Sequence, residues 1–168
     1  TAASDGHRQL STVEMAVYRM KANETELLKP LLIWLHAPER NLPTVVINQV
    51  TTTAESWILR RFILRLSTSD LARVVADIIR VFDKTPAPEL GDAVAGYLSR
   101  LDAVSTYWPG DEEIRQSLST EAVYRRYRRG RLRILLEAVE NDFRSETHQS
   151  QVPRLGYPIE HVLPQAWQ

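Results

Sequence analysis

Apolar residues recur at intervals of three and four along most of the chain, and this spacing predicts one helix after another. In NETELLKPLLIWLHA, Leu27, Leu28, Leu31, Leu32 and Leu35 form a single stripe. Asn23 is placed to cap it, with Glu26 three residues on, and Pro30 is expected to kink the helix or break it in two. PTVVINQVTTTAESWILRRFILRLS opens with β-branched residues that suggest a strand. Val46, Val50, Trp57 and the series Ile58, Phe62, Leu66 nonetheless keep helical spacing. Helix is therefore expected throughout, with the three threonines as the place for a break. TSDLARVVADIIRVFDK carries Leu71, Val74, Val75, Ile78, Ile79 and Phe82 behind a cap at Thr68 or Ser69. TPAPE separates this helix from LGDAVAGYLSRL, WPGDEE opens another short one, and RLRILLEAVENDF puts Leu132, Leu135, Leu136, Val139 and Phe143 on one face. The expected fold is all-α, a bundle or array of about six to eight helices.

Past Phe143 the pattern changes. RSETHQSQVPRLGYP is polar and punctuated by Pro and Gly, which reads as a loop. The β-branched, proline-bounded PIEHVLP after it reads as a short extended segment. The expected organisation is a helical domain over 1–145, a linker over 146–157 and a further element beginning in 158–168.

Composition narrows the classes little. The 168 residues suffice for one globular domain or two small ones, and 21 basic residues balance 21 acidic ones. Any charged surface is therefore local, and no overall field points to nucleic acid or membrane. Eighteen of the basic residues are Arg, the side chain suited to phosphate and to packed ion pairs, a bias that a GC-rich genome also produces. With no cysteine, disulfides, thiolate zinc sites and a cysteine nucleophile are excluded. No apolar run has the length of a membrane span and the start lacks the order of a signal peptide, so a cytoplasmic setting is expected. A start without Met suggests a piece of a longer protein.

Chemistry concentrates in two places. In IEHVLPQ, His161 has the titration range of a general base on water, and Glu160 beside it has the oxygen donors that a hard cation such as Mg²⁺ prefers. Water activation beside a metal is what phosphodiester hydrolysis needs. In YRRYRRGRLR, Arg125, Arg126, Arg128, Arg129, Arg131 and Arg133 crowd together with Tyr124 and Tyr127. They suit a DNA backbone, or a solvated helix face paired with Glu112, Glu113, Glu121 or Glu137. Elsewhere the structural readings prevail. Of Arg60 and Arg61, one is expected to snorkel or pair with Glu55 while the other faces solvent. Trp34, Trp57 and Trp108 read as core or junction anchors, and Asp111, Glu112 and Glu113 as the acidic first turn of a helix. His7, His36 and His148 lack metal-ligand spacing.

IEHVLPQ resembles the Asp/Glu-His-x-x-Pro-Gln segment that opens the ββα-metal, HNH or His-Me finger nuclease motif. ESWILRRFILRLST, YWPGDEE, RILLEAVE and YPIEHVLPQAW, in that order, resemble the helical region leading into the HNH domain of GmrSD-type modification-dependent restriction endonucleases. That resemblance implies a phage-defence DNA endonuclease with an N-terminal NTPase domain, His161 as general base, Glu160 at a divalent metal, and Pro164 and Gln165 shaping the turn after the strand. Such a motif also needs a downstream Asn or His on a helix. These residues lack one, so the chain as given is expected to be inactive. The other reading is a helical interaction module, without chemistry of its own, that couples an NTPase domain to a nuclease domain or self-associates as a homodimer.

Overall fold

The computed structural model describes residues 6–156 together with Pro158 and Ile159. The described residues contain eight α-helices and no strand, as the periodicity predicts. Most of the expected extended segment over 158–168 lies outside them. Two compact units divide the chain, Leu10–Arg126 on one side and Thr1–Gln9 with Tyr127–Gln168 on the other.

The larger unit begins with α1 (Thr12–Ala22). Ser11 caps it through a complete capping box: its hydroxyl accepts from the Glu14 N–H, and the Glu14 carboxylate accepts from the Ser11 N–H at 3.0 Å. Asn23, expected to start a helix, ends this one; its side-chain amide donates to the Arg19 carbonyl at 2.9 Å. α2 (Lys29–Leu35) follows with Pro30 in its first turn. The first N–H groups of a helix have no partner within it, so a proline there starts the helix and produces neither kink nor break. A 3-10 turn (Pro38–Arg40) leads into α3 (Thr44–Ile63), which runs through the three threonines without a break. Burial explains this: Val46, Val50, Ala54, Trp57, Ile58 and Phe62 all face the core, and packing outweighs the low helix propensity of Thr.

α4 (Leu71–Phe82) starts behind Asp70, whose side chain makes no capping bond. The expected caps do other work, Ser67 and Ser69 meeting through their hydroxyls at 3.0 Å and Thr68 offering its carbonyl to the Leu71 N–H. α5 (Ala87–Ser99) takes Pro88 into its first turn, α6 (Asp111–Thr120) starts with three acidic residues, and α7 (Val123–Arg126) is one turn long. α3 is the central helix, packed against α1 and α5, while α4 meets α2 and α5. A polar knot ties α2 to the end of α4. The Trp34 indole N–H donates to the Asp83 carboxylate at 3.1 Å, Arg40 stacks 3.8 Å over the Trp34 ring, and Arg40 donates to the Asp83 carbonyl at 2.7 Å.

Between α1 and α3, Arg19 pairs with the buried Glu55 at 3.1 Å. The second carboxylate oxygen of Glu55 has no hydrogen-bond partner among the described residues. Burial raises its pKa above glutamate's ordinary value, against the pull of Arg19. The folded state therefore holds this proton more tightly than the unfolded state. The stabilisation is complete below about pH 4.3 and is lost as pH rises through the raised folded value. Glu55→Gln is expected to match the parent near that lower pH and to exceed it at neutral pH, where the parent carries a buried charge and Arg19 still reaches water. Denaturation midpoints at the two pH values check this; a glutamine variant less stable at neutral pH would contradict it.

In the smaller unit, α8 (Arg129–Glu146) is followed by a segment that runs back along it. Asn141 accepts from the Val152 N–H at 2.7 Å, Arg133 donates to the Leu155 carbonyl at 3.0 Å, and the Arg154 N–H donates to the Gly6 carbonyl at 2.8 Å. The stretch expected as a linker is thus held by side chains of α8.

Candidate functional site

One turn of α3 organises the approach to α6. Trp57, Arg60 and Arg61 project from neighbouring positions, and all three reach the stretch 104–111. The Trp57 ring is fully buried, and its N–H donates to the Thr106 carbonyl at 2.8 Å. Arg61 is also fully buried. Its guanidinium donates to the carbonyls of Tyr107 (2.7 Å), Ser67 (2.9 Å) and Val104 (3.1 Å), and lies 5.3 Å from the Tyr107 ring centre. Burial lowers its pKa from arginine's usual range, an effect opposed by Tyr107 and Glu113. A guanidinium nevertheless stays charged in proteins, so the carbonyl acceptors are what make its burial tolerable.

Arg60 points the other way along the same loop. It donates to the Pro109 carbonyl at 3.0 Å and to the Asp111 carboxylate at 2.5 Å, in the first turn of α6. Arg60's hydrogen bond and charge hold the Asp111 carboxyl below its ordinary value. The Tyr107 hydroxyl donates to Glu113 at 2.6 Å, and burial followed by that bond pushes its pKa up. The expectations for Arg60 and Arg61 are corrected here. Neither pairs with Glu55, which belongs to Arg19, and the arginine that does not snorkel is fully buried. The acidic run is the first turn of α6, as expected, and the tryptophans are anchors.

A family match begins within the stretch that α3 holds, the α3 latch. Residues 108–168 match the family model described as GmrSD restriction endonucleases, C-terminal domain. The match covers about a third of the chain, and over that segment the chain is similar to this family. No curated protein and no solved structure matches it. The first residues of the GmrSD-like segment, Trp108, Pro109 and Asp111, are those that α3 holds or that pack on its core. IEHVLPQ falls inside the matched segment. Glu160, His161, Pro164 and Gln165 lie outside the described residues.

The arginine cluster divides between local elements. Arg125 and Arg126 belong to α7; Arg128 precedes α8, and Arg129, Arg131 and Arg133 belong to it. Arg126 pairs with Glu121, one of the acids foreseen as a partner, and Arg133 holds the Leu155 carbonyl. Arg125, Arg126, Arg128 and Arg129 are exposed. No group of three His, Cys, Asp or Glu among the described residues could hold a metal ion, so the described part of the chain supplies no site for the expected divalent cation. The groove between α1 and α2, about 650 Å³, is lined by Val13, Val17, Met20, Leu28, Leu32 and Ile33, with Lys21, Glu24, Glu26, Lys29 and His36 also along it. No helix among the described residues is long and apolar enough to cross a membrane.

The sequence reading missed Arg61 and Tyr107 as junction residues. The acceptors of Arg61 are backbone carbonyls six to 46 residues away, which leave no mark in side-chain spacing.

Proposed function

We propose that this chain is the helical portion of a modification-dependent DNA endonuclease of phage defence. The intact enzyme hydrolyses phosphodiester bonds in an HNH-type site, with His161 as general base, Glu160 at the metal and a divalent cation such as Mg²⁺ as cofactor. The observation that carries the reading is the match of residues 108–168 to the GmrSD C-terminal domain, a segment that contains IEHVLPQ. The exposed arginines from Arg125 to Arg129, with Arg131 and Arg133, serve as backbone contacts to the DNA partner. The protein works in the cytoplasm. In the intact enzyme, His161→Ala is expected to lower metal-dependent cleavage of modified DNA about a hundredfold or more, with DNA affinity unchanged. Full activity in that variant would remove His161 from the chemistry.

A second reading draws on the α3 latch. A helical unit that grips the first residues of the GmrSD-like segment through Arg60, Arg61 and Trp57 is suited to coupling, carrying displacement from an NTPase domain to the nuclease without chemistry of its own.

A further inference from the structure

α6 is joined to its unit at one end. None of its residues is buried. It is absent from the helix pairs that build the core, which are α3 with α1 and α5, and α4 with α2 and α5. Its two large apolar side chains, Ile114 and Leu118, are partly buried but are not among those packed against the core cluster. A helix of a compact domain is ordinarily held by an apolar face, and here that hold is missing.

What holds α6 is polar and lies in its first turn. Asp111 accepts from Arg60 at 2.5 Å, and Glu113 accepts from the Tyr107 hydroxyl at 2.6 Å. Past Glu113, the side-chain bonds of α6 among the described residues stay inside the helix: Arg115 pairs with Glu112, and Ser119 and Thr120 donate to the Gln116 carbonyl. The chain in front of this turn is fixed, since Trp108 packs on the core and the Pro109 carbonyl accepts from Arg60. Between that fixed base and the helix stands Gly110. Its φ is −78°, open to any residue, and a Cβ there would meet nothing within 4 Å. Neither backbone strain nor space calls for glycine, whereas a joint that turns does.

We propose that α6 is a lever that swings as a rigid helix about Gly110, with the contacts of Arg60 to Asp111 and of Tyr107 to Glu113 as the clasp that keeps it closed. The Asp111 side chain is 68 % exposed, and an ion pair that open to water adds little and weakens in salt. Such a clasp leaves an open state holding about a tenth of the molecules or less. The helix itself keeps its form when released, because its acidic first turn suits its own dipole. The swing goes beyond the coupling reading: it is a property of this unit and stands whether or not the lever drives a nuclease.

The chain has no cysteine, so spin labels attach only where a cysteine is introduced. Pulsed dipolar spectroscopy measures the distance from Thr52→Cys in α3 to Ser119→Cys near the far end of α6, both exposed positions, with Thr52→Cys and Ala76→Cys in α4 as the reference pair. The expected result is a main distance and a minor second one for the first pair, and a single distance for the reference. Salt at about 1 M, or Arg60→Met together with Tyr107→Phe, raises the second population about threefold or more. Gly110→Ala lowers it. Amide exchange over Arg115–Leu118 stays as slow as in the parent, which separates swinging from melting. A first pair that neither salt nor the double variant changes, a reference pair that broadens with it, a second distance undiminished by Gly110→Ala, or α6 amides that lose protection as that distance grows would each overturn the lever.

Discussion

Replacing Arg61 by Met is expected to cost about 3–5 kcal/mol, the range seen when one partner of a buried charged group is removed. Methionine fills much of the same volume but leaves the carbonyls of Tyr107, Ser67 and Val104 without their shared donor in a site closed to water. Arg61→Lys keeps the charge but lacks the planar fork that reaches three acceptors in different directions, so a smaller loss of about 1–3 kcal/mol is expected. Denaturant midpoints at constant slope measure both. A methionine variant within about 1 kcal/mol of the parent would mean that the loop carbonyls turn to solvent when released. A domain of this size has only about 5–15 kcal/mol in total, so the larger value brings the chain close to unfolding.

Trp57→Ala carries a comparable expectation, about 3–5 kcal/mol, for a different reason. The ring is fully buried in the core cluster, and its removal leaves a cavity that rigid helices cannot close. Trp57→Phe separates the two contributions. It keeps most of the volume and loses only the bond to the Thr106 carbonyl, for an expected cost of about 1 kcal/mol. Because Trp57 and Arg61 hold the same stretch of chain, their effects should not add. A double variant with Trp57→Phe and Arg61→Lys is expected to lose less than the sum of its singles, and strict additivity would show that the two anchors act separately.

What the sequence made legible follows from the range of each interaction. α3 and α4 announce themselves through local periodicity, because the residues that define a helix face lie within a few turns of one another. The acid-rich start of α6 is legible for the same reason. α1 went unseen although its capping box, Ser11 with Glu14, stands in the sequence, because a polar start and few large apolar residues weaken the stripe behind it. Asn23 shows the limit of a local signal: the side chain that begins one helix can end another, and only the neighbouring residues' burial decides which. Among the site residues, IEHVLPQ is read from its own letters and from the family match that spans it. The α3 latch could not be read that way, since Arg60 and Arg61 find acceptors about fifty residues downstream and mostly on the main chain.

That choice of acceptors governs how the joint tolerates change. Arg61 recognises the path of the backbone between Val104 and Tyr107 and is blind to most of the side chains there; Val104 itself is 82 % exposed. Substitutions in this stretch leave its two acceptor carbonyls, those of Val104 and Tyr107, where they are. A gained or lost residue moves them out of reach. Over time the letters of the loop are free to drift while its length is held fixed.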